Sequence, residues 1–238
     1  MKIALIGYGK MGKAIEEIAL HRGHEILLKI DQPNLHEFTA EKLAMADVAI
    51  EFTSPHSASE NVKKLLDFGV PVVCGSTGWT DQLEEMKAHC AASNGAFAYS
   101  SNYSVGVNIF FEINKKLAAL MAPHNEYEVI LEEIHHTQKK DAPSGTAITL
   151  AEQVLQDIKR KKQWVNELSD NPEDLEIISQ REDPAPGTHS VKYSSVIDTI
   201  EITHTAHNRT GFATGAVLAA EFLKDRKGFF TMKDVLGL

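Results

Sequence analysis

The chain has 238 residues, 43% of them hydrophobic and 24% charged, ordinary for a soluble globular protein of one or two domains. A formal net charge of −9 excludes binding along nucleic acid unless a concentrated basic patch intervenes, and the nearest basic run, residues 159–162, reads as solvated cations at a helix end. Two cysteines without metal-ligand spacing, a start with no basic leader, and no apolar run near ~18 residues predict a cytoplasmic protein with free thiols and no membrane segment.

The apolar run at 2–6 reads as a strand that ends in the turn Gly7-Tyr8-Gly9-Lys10-Met11-Gly12. A helix at 10–21 follows, with Met11, Ile15, Ile18 and Ala19 on one face. Further strands are predicted at 24–30, closing on Asp31, and at 47–52, closing on Thr53-Ser54-Pro55. A strand at 70–74 leads into Gly75-Ser76-Thr77-Gly78, and another covers 96–100, with helices at 58–68 and 81–92 between them. Such alternation predicts a parallel sheet with helices on both faces and ligands beyond the C-terminal strand ends.

Past Asn102 the pattern changes. A helix at 105–121 carries the stripe Ile109, Phe110, Ile113 and Leu117, read as core, and a strand at 128–135 leads through a loop to a helix starting near Ser144. Strands at 175–180, 189–196 and 199–206 suggest an antiparallel-rich sheet. The helix at 215–223 and the tail at 229–238 are expected to return and cover the first sheet. The predicted fold class is therefore α/β. A Rossmann-like dinucleotide-binding domain comprises 1–104 and 211–238, and a second α+β substrate domain, 105–210, is built on a mixed sheet.

Gly7, Gly9 and Gly12 fit G-x-G-x-x-G between a strand and a helix, and Asp31 ends the next strand at the distance expected of a ribose-binding carboxylate. The helix N-terminus suits a pyrophosphate. Asp31 would repel a 2′-phosphate and so favours NADH over NADPH, while Lys10 and Lys29, either of which could approach that phosphate, leave dual use open.

The stretch from His135 through His136, Lys139, Lys140 and Asp141 to Ser144-Gly145-Thr146-Ala147 falls where a strand gives way to a helix. Ser144 is a natural N-cap, and the amides of Gly145 and Thr146 with the Thr146 hydroxyl form an anion site. The two histidines and two lysines beside it suit a carboxylate-bearing substrate and proton delivery. Adjacent histidines alternate across an extended strand, and no third ligand stands out, so no metal is expected.

These motifs resemble those of the 4-hydroxy-tetrahydrodipicolinate reductases. The resemblance rests on the fingerprint Gly7 to Gly12, on Phe52-Thr53-Ser54-Pro55, on Gly75-Ser76-Thr77-Gly78, on the stretch from Asn102 to Asn108, and above all on the run from His135 to Ala147. It implies an NADH- or NADPH-dependent reduction of a small cyclic dicarboxylate to tetrahydrodipicolinate, in diaminopimelate and lysine biosynthesis. It also implies a homotetramer assembled through the substrate-domain sheets. By position, Lys10, Met11, Phe52 and Thr53 join the fingerprint glycines and Asp31 at the cofactor, and Gly75, Thr77, Ser101 and Tyr103 border the nicotinamide. His136, Gly145 and Thr146 bind substrate, and His135 and Lys139 handle the proton and the developing charge. Asp183 departs from a family glycine, which weakens a turn, and Ser54 stands where some members carry arginine.

Two rival readings remain at this level: another two-domain dehydrogenase acting on aspartate or homoserine, and a nucleotide sensor without chemistry. The first leaves the D-A-P-S-G-T-A run unexplained, and the second has no use for the histidines and lysines. His204, His207 and Arg209 read as a solvated strand end, and Trp79 and Trp164 as packing or surface aromatics.

Overall fold

The computed structural model describes residues 1–208 and 210–238, so Arg209 lies outside the described residues. Two compact units result: Met1–Val105 with the C-terminal segment, and Gly106–Asn208. The first contains β1 (Lys2–Ile6), α1 (Lys10–His21), β2 (Glu25–Ile30), α2 (Ala40–Leu43), β3 (Val48–Glu51), α3 (Ala58–Asp67), β4 (Val72–Cys74), α4 (Leu83–Ala92) and β5 (Ala96–Tyr99). The second runs from α5 (Val105–Met121), which begins at the boundary, through β6 (Glu128–His135), α6 (Gly145–Asp157), β7 (Gln163–Val165), β8 (Asp174–Arg181) and β9 (Gly187–Ser194) to β10 (Thr199–Ala206). The chain then returns to the first unit as α7 (Thr210–Leu223), β11 (Gly228–Phe230) and α8 (Met232–Leu236).

The strands of the first unit are short apolar runs without alternation, as expected of a sheet buried on both faces. They pair in parallel in the order β11-β5-β4-β3-β1-β2. One face packs Ala4, Ile6, Val62, Leu65 and Trp79 together, and the other packs Ile3, Leu5, Ile15, Val217 and Leu223. Because β2 and β3 flank β1 on opposite sides, the connections diverge at the C-terminal end of β1, where such sheets bind ligands.

The returning segment differs from the sequence expectation in two ways. The tail does more than cover the sheet: Phe229 pairs with Phe97, and β11 becomes a sixth strand. Helix α7 starts at Thr210, well before the predicted Gly215. Gly215 lies inside the helix, where a Cβ would come within 1.6 Å of the Tyr103 carbonyl oxygen, so this glycine serves close packing and not helix initiation.

The second unit has a mixed sheet in the order β10-β9-β6-β8-β7, antiparallel from β10 to β6 and parallel from β6 to β7. Helices α5 and α6 supply Phe110, Ala118, Leu150 and Val154 to a core shared with Leu131, Ile177 and Tyr193. Of the stripe read as core, Phe110 is buried and Leu117 half-buried, but Ile109 and Ile113 are 42% and 47% exposed. The buried row runs Val107, Phe110, Asn114, Ala118 and Met121, and positions 109 and 113 lie about 100° around the helix from it. Residues 159–162 also depart from a purely solvated reading. Lys161 is buried past the end of α6, with Nζ donating to the Pro172 carbonyl at 2.9 Å and paired with Glu128 at 3.0 Å. Among the described residues no helix is long and apolar enough to cross a membrane.

Candidate active site

A crevice of about 490 Å³ opens where the strand connections diverge, lined by Gly7, Tyr8 and Gly9 after β1, Asp31 after β2, Phe52 to Ser54 after β3, and Asn61 of α3. The three fingerprint glycines have different physical reasons. Gly7 adopts φ +95°, and a Cβ there would strike the Phe52 carbonyl oxygen at 2.1 Å. A Cβ on Gly12 would meet the Gly7 carbonyl oxygen at 2.3 Å. At Gly9, by contrast, a Cβ would meet nothing within 4 Å, so the protein's own packing does not require glycine there. Gly9 also gives α1 no side-chain cap. Open space beside the amides of a helix N-terminus fits the pyrophosphate of a dinucleotide.

The rim of this crevice is fixed by local hydrogen bonds. The Asp31 amide donates to Asn34 Oδ1 at 2.8 Å and the Gln32 amide donates to Asp31 Oδ1 at 2.9 Å, leaving the carboxylate exposed. On the other side, the fully buried Glu51 accepts from the Thr53 amide at 3.1 Å, from the Thr53 hydroxyl and from Cys74 Sγ at 3.0 Å, and so sets the turn after β3. The Phe52 ring occupies the space a Cβ on Gly75 would need, 2.1 Å away. Tyr103 packs against Phe52 and is buried, its hydroxyl donating to the carbonyls of Cys74 and Ala98. Lys10, Thr77 and Ser101 are exposed and Met11 is half-buried. Trp79 is a packing residue, buried against Phe97 and Tyr99.

The second cluster lies within the other unit and follows from sheet register. Along β6 the buried positions are Val129, Leu131, Glu133 and His135. Glu133 sits opposite Ser179 of β8 and His189 of β9, and His189 sits opposite His204 of β10, so one cross-strand row carries four polar side chains. His135 pairs with Arg181 in the next row. The Ser144 amide donates to both Glu133 oxygens at 3.1 Å, and Ser179 Oγ donates to Oε1 at 2.7 Å. Arg181, His135 Nδ1 and His189 Nε2 approach the same carboxylate at 3.5, 3.4 and 3.6 Å. Ser144 Oγ lies 3.0 Å from His189 Nε2 and accepts from the Ala147 amide, capping α6 as its position suggests.

Beyond this buried floor stand the remaining residues of the motif. His136 and Thr146 are half-buried, Gly145 is exposed, and a Cβ on Gly145 would meet nothing within 4 Å. The Lys139 ammonium is held by Asp141, 2.8 and 2.9 Å from its two oxygens. Asp183, expected to weaken a turn, instead accepts from the Thr137 amide at 3.2 Å and hydroxyl at 2.6 Å and braces the loop. His204 is half-buried against Phe110, and His207 is exposed.

Burial pushes the His135 imidazole down to about 4, helped by His189, Lys139 and Arg181 and opposed by Glu133, so the ring is neutral at neutral pH. Burial alone would raise the Glu133 carboxyl, but hydrogen bonds from His189, Ser144 and Ser179 outweigh it and hold the group well below the usual carboxylate range. Donor atoms of Glu133, His135 and His189 lie within 4.8 Å of one another, a spacing a metal could bridge. The carboxylate already accepts from Ser144 and Ser179 and is balanced by the Arg181 cation, which disfavours a second cation there. Sequence reasoning gave Glu133, Arg181 and His189 no role at the site. The available signal was phase, since each alternates in step with apolar core positions of its strand.

Residues 1–103 match the family model "Dihydrodipicolinate reductase, N-terminus", and residues 106–236 match "Dihydrodipicolinate reductase, C-terminus". The chain is 50% identical to the 4-hydroxy-tetrahydrodipicolinate reductase of Christiangramia forsetii, covering 99% of this chain and 98% of that one. It is 33% identical to the enzyme of the same name from Methanobrevibacter smithii, over 100% and 99% of the two chains. Among solved structures, the dipicolinate-bound dihydrodipicolinate reductase from Paenisporosarcina sp. TG-14 shares the fold, with a TM-score of 0.77, 22% identity and 97% coverage of each chain.

Proposed function

The chain belongs to the dihydrodipicolinate reductase family, and from that premise we propose that it reduces 4-hydroxy-tetrahydrodipicolinate to tetrahydrodipicolinate with NADH, and less readily NADPH, in diaminopimelate and lysine biosynthesis. When bound, the nicotinamide would supply hydride to a substrate ring carbon conjugated to an imine, water having been lost from the hydroxylated ring. Gly7, Gly9, Lys10, Met11 and Gly12 hold the pyrophosphate and Asp31 the adenosine ribose. Phe52 and Thr53 also line the cofactor crevice, and Gly75, Thr77, Ser101 and Tyr103 border the nicotinamide. A substrate carboxylate binds the amides of Gly145 and Thr146 at the N-terminus of α6, with His136 beside it.

The Lys139 ammonium stabilises the negative charge that develops on the substrate ring nitrogen and delivers the proton that restores the ring imine after hydride addition, and the neutral His135 imidazole serves as a hydrogen-bonding partner rather than as the acid. One observation carries this reading: the start of α6 is capped by Ser144 and exposed at Gly145, as an anion site requires, and Lys139 stands in the loop that leads into it. Initial rates of NADH and NADPH oxidation with enzymatically generated substrate test it. Turnover with NADH as the better cofactor is the expected result. Rates at the blank level with both cofactors, alongside activity on aspartate or homoserine with NAD, would overturn it.

We further propose a cytoplasmic homotetramer joined through the second sheet. The buried free thiols Cys74 and Cys90 agree with a reducing compartment. Edge strand β10 exposes Ile200, and the turn before it exposes Val196 and Ile197, an apolar margin suited to a subunit contact. Sedimentation velocity should give a species of four chain masses, and an Ile197→Lys, Ile200→Lys chain should sediment more slowly. A monomeric wild-type species at micromolar concentration would contradict this assembly.

A further inference from the structure

We propose that Glu16 of α1 is a specificity-determining residue: by holding the Lys29 ammonium it withholds a cation from a 2′-phosphate on the adenosine ribose, and so tilts the crevice toward NADH. The inference rests on the reading of that crevice as the dinucleotide site. Lys29 Nζ lies 3.1 Å from Glu16 Oε1, and the Tyr8 hydroxyl donates to Glu16 Oε2. The same ammonium stands 4.8 Å from the centre of the Tyr8 ring. Tyr8 and Asp31 both line the crevice. Lys29 is two residues before Asp31 where β2 ends, so the two side chains share one side of the strand, about 6.6 Å apart along it.

The three charges therefore gather at one end of the site, and Glu16 and Asp31 outnumber Lys29. A ribose hydroxyl pair is indifferent to that balance, whereas a phosphate carrying nearly two negative charges is repelled by it. Glu16 holds Lys29 above its ordinary titration range and Tyr8 likewise, the sign of an acceptor that engages both. Lys29 has a flexible stem and is 43% exposed, so its ammonium can turn toward a phosphate once the Glu16 contact and the weaker approach to the Tyr8 ring are given up. Lys10, exposed at the start of α1, is not tied up in the same way by Glu16 and accounts for residual NADPH use.

Calorimetric titration of NAD and NADP into wild type, Glu16→Gln, and Glu16→Gln with Lys29→Met tests the idea without turnover. The substitution removes one negative charge and frees one positive charge. Glu16→Gln should lower the Kd ratio of NADP to NAD about tenfold, the size expected of exposed charges a few ångströms from the phosphate. The gain should shrink with added salt and disappear in the double variant. A ratio within twofold of wild type in Glu16→Gln, or one that stays shifted when Lys29 is methionine, would sink the role of Glu16 while leaving the dinucleotide site intact. Failure of wild type to bind either nucleotide would overturn the site and the inference together.

Discussion

Replacing Lys139 with alanine is expected to lower kcat by about 10²- to 10⁴-fold, the usual contribution of a positioned proton donor, with a smaller rise in KM. The side chain lies in the loop between β6 and α6, 21% exposed, and its ammonium is oriented by both oxygens of Asp141. Alanine removes the proton and the charge together, so a second substitution is needed to separate them. Arginine keeps the charge but does not release a proton at any working pH. Lys139→Arg should therefore bind substrate within a few-fold of the wild-type KM and still turn over slowly. Steady-state kinetics with saturating dinucleotide distinguish the cases. Full kcat in the arginine variant would reduce Lys139 to a fixed charge, and full kcat in the alanine variant would remove it from the chemistry.

The first unit was legible in the sequence because each of its signals is local. Unalternating apolar runs mark buried parallel strands, and the spacing of Gly7, Gly9 and Gly12 marks the turn, with Gly7 and Gly12 at positions where a Cβ would strike backbone. Strand β11 was not legible, since three residues carry no period and its existence depends on finding the edge of β5. The exposed half of the second site was legible as a motif contiguous in sequence. Its buried half was not, because Glu133, Ser179, Arg181 and His189 meet only through register across three strands. A single chain reading shows that Glu133 is in phase with Val129 and Leu131, which predicts a buried carboxylate. It does not show which strands supply the partners.

That buried carboxylate should be the residue whose loss damages the second unit most. Glu133 is fully buried, and its oxygens satisfy the Ser144 amide and the Ser179 hydroxyl while facing the Arg181 guanidinium. Glu133→Ala leaves those donors without an acceptor and one partly buried cation unbalanced, and breaking such a pair costs about 3–5 kcal/mol, a large share of a typical domain's stability. Glutamine keeps the volume and one acceptor but not the charge, so Glu133→Gln should fall between. The pH dependence has two limbs with the same sign. His135 titrates near 4 in the folded chain and near 6.5 when unfolded, so the native state binds fewer protons in that window and loses stability as pH falls through it. The Glu133 contribution is complete above the usual carboxylate value of about 4.3 and is lost below it, as pH falls toward the depressed native value. Glutamine at 133 should abolish the lower limb and, by removing a carboxylate that raises His135, drive the imidazole further down. Urea midpoints between pH 7.5 and 2, with hydrogen exchange across α6 and an NMR titration of the His135 ring, read both effects. An imidazole titrating at 6.5 or above in the folded protein, or an alanine variant with wild-type protection of α6, would mean that this network does not hold the site together.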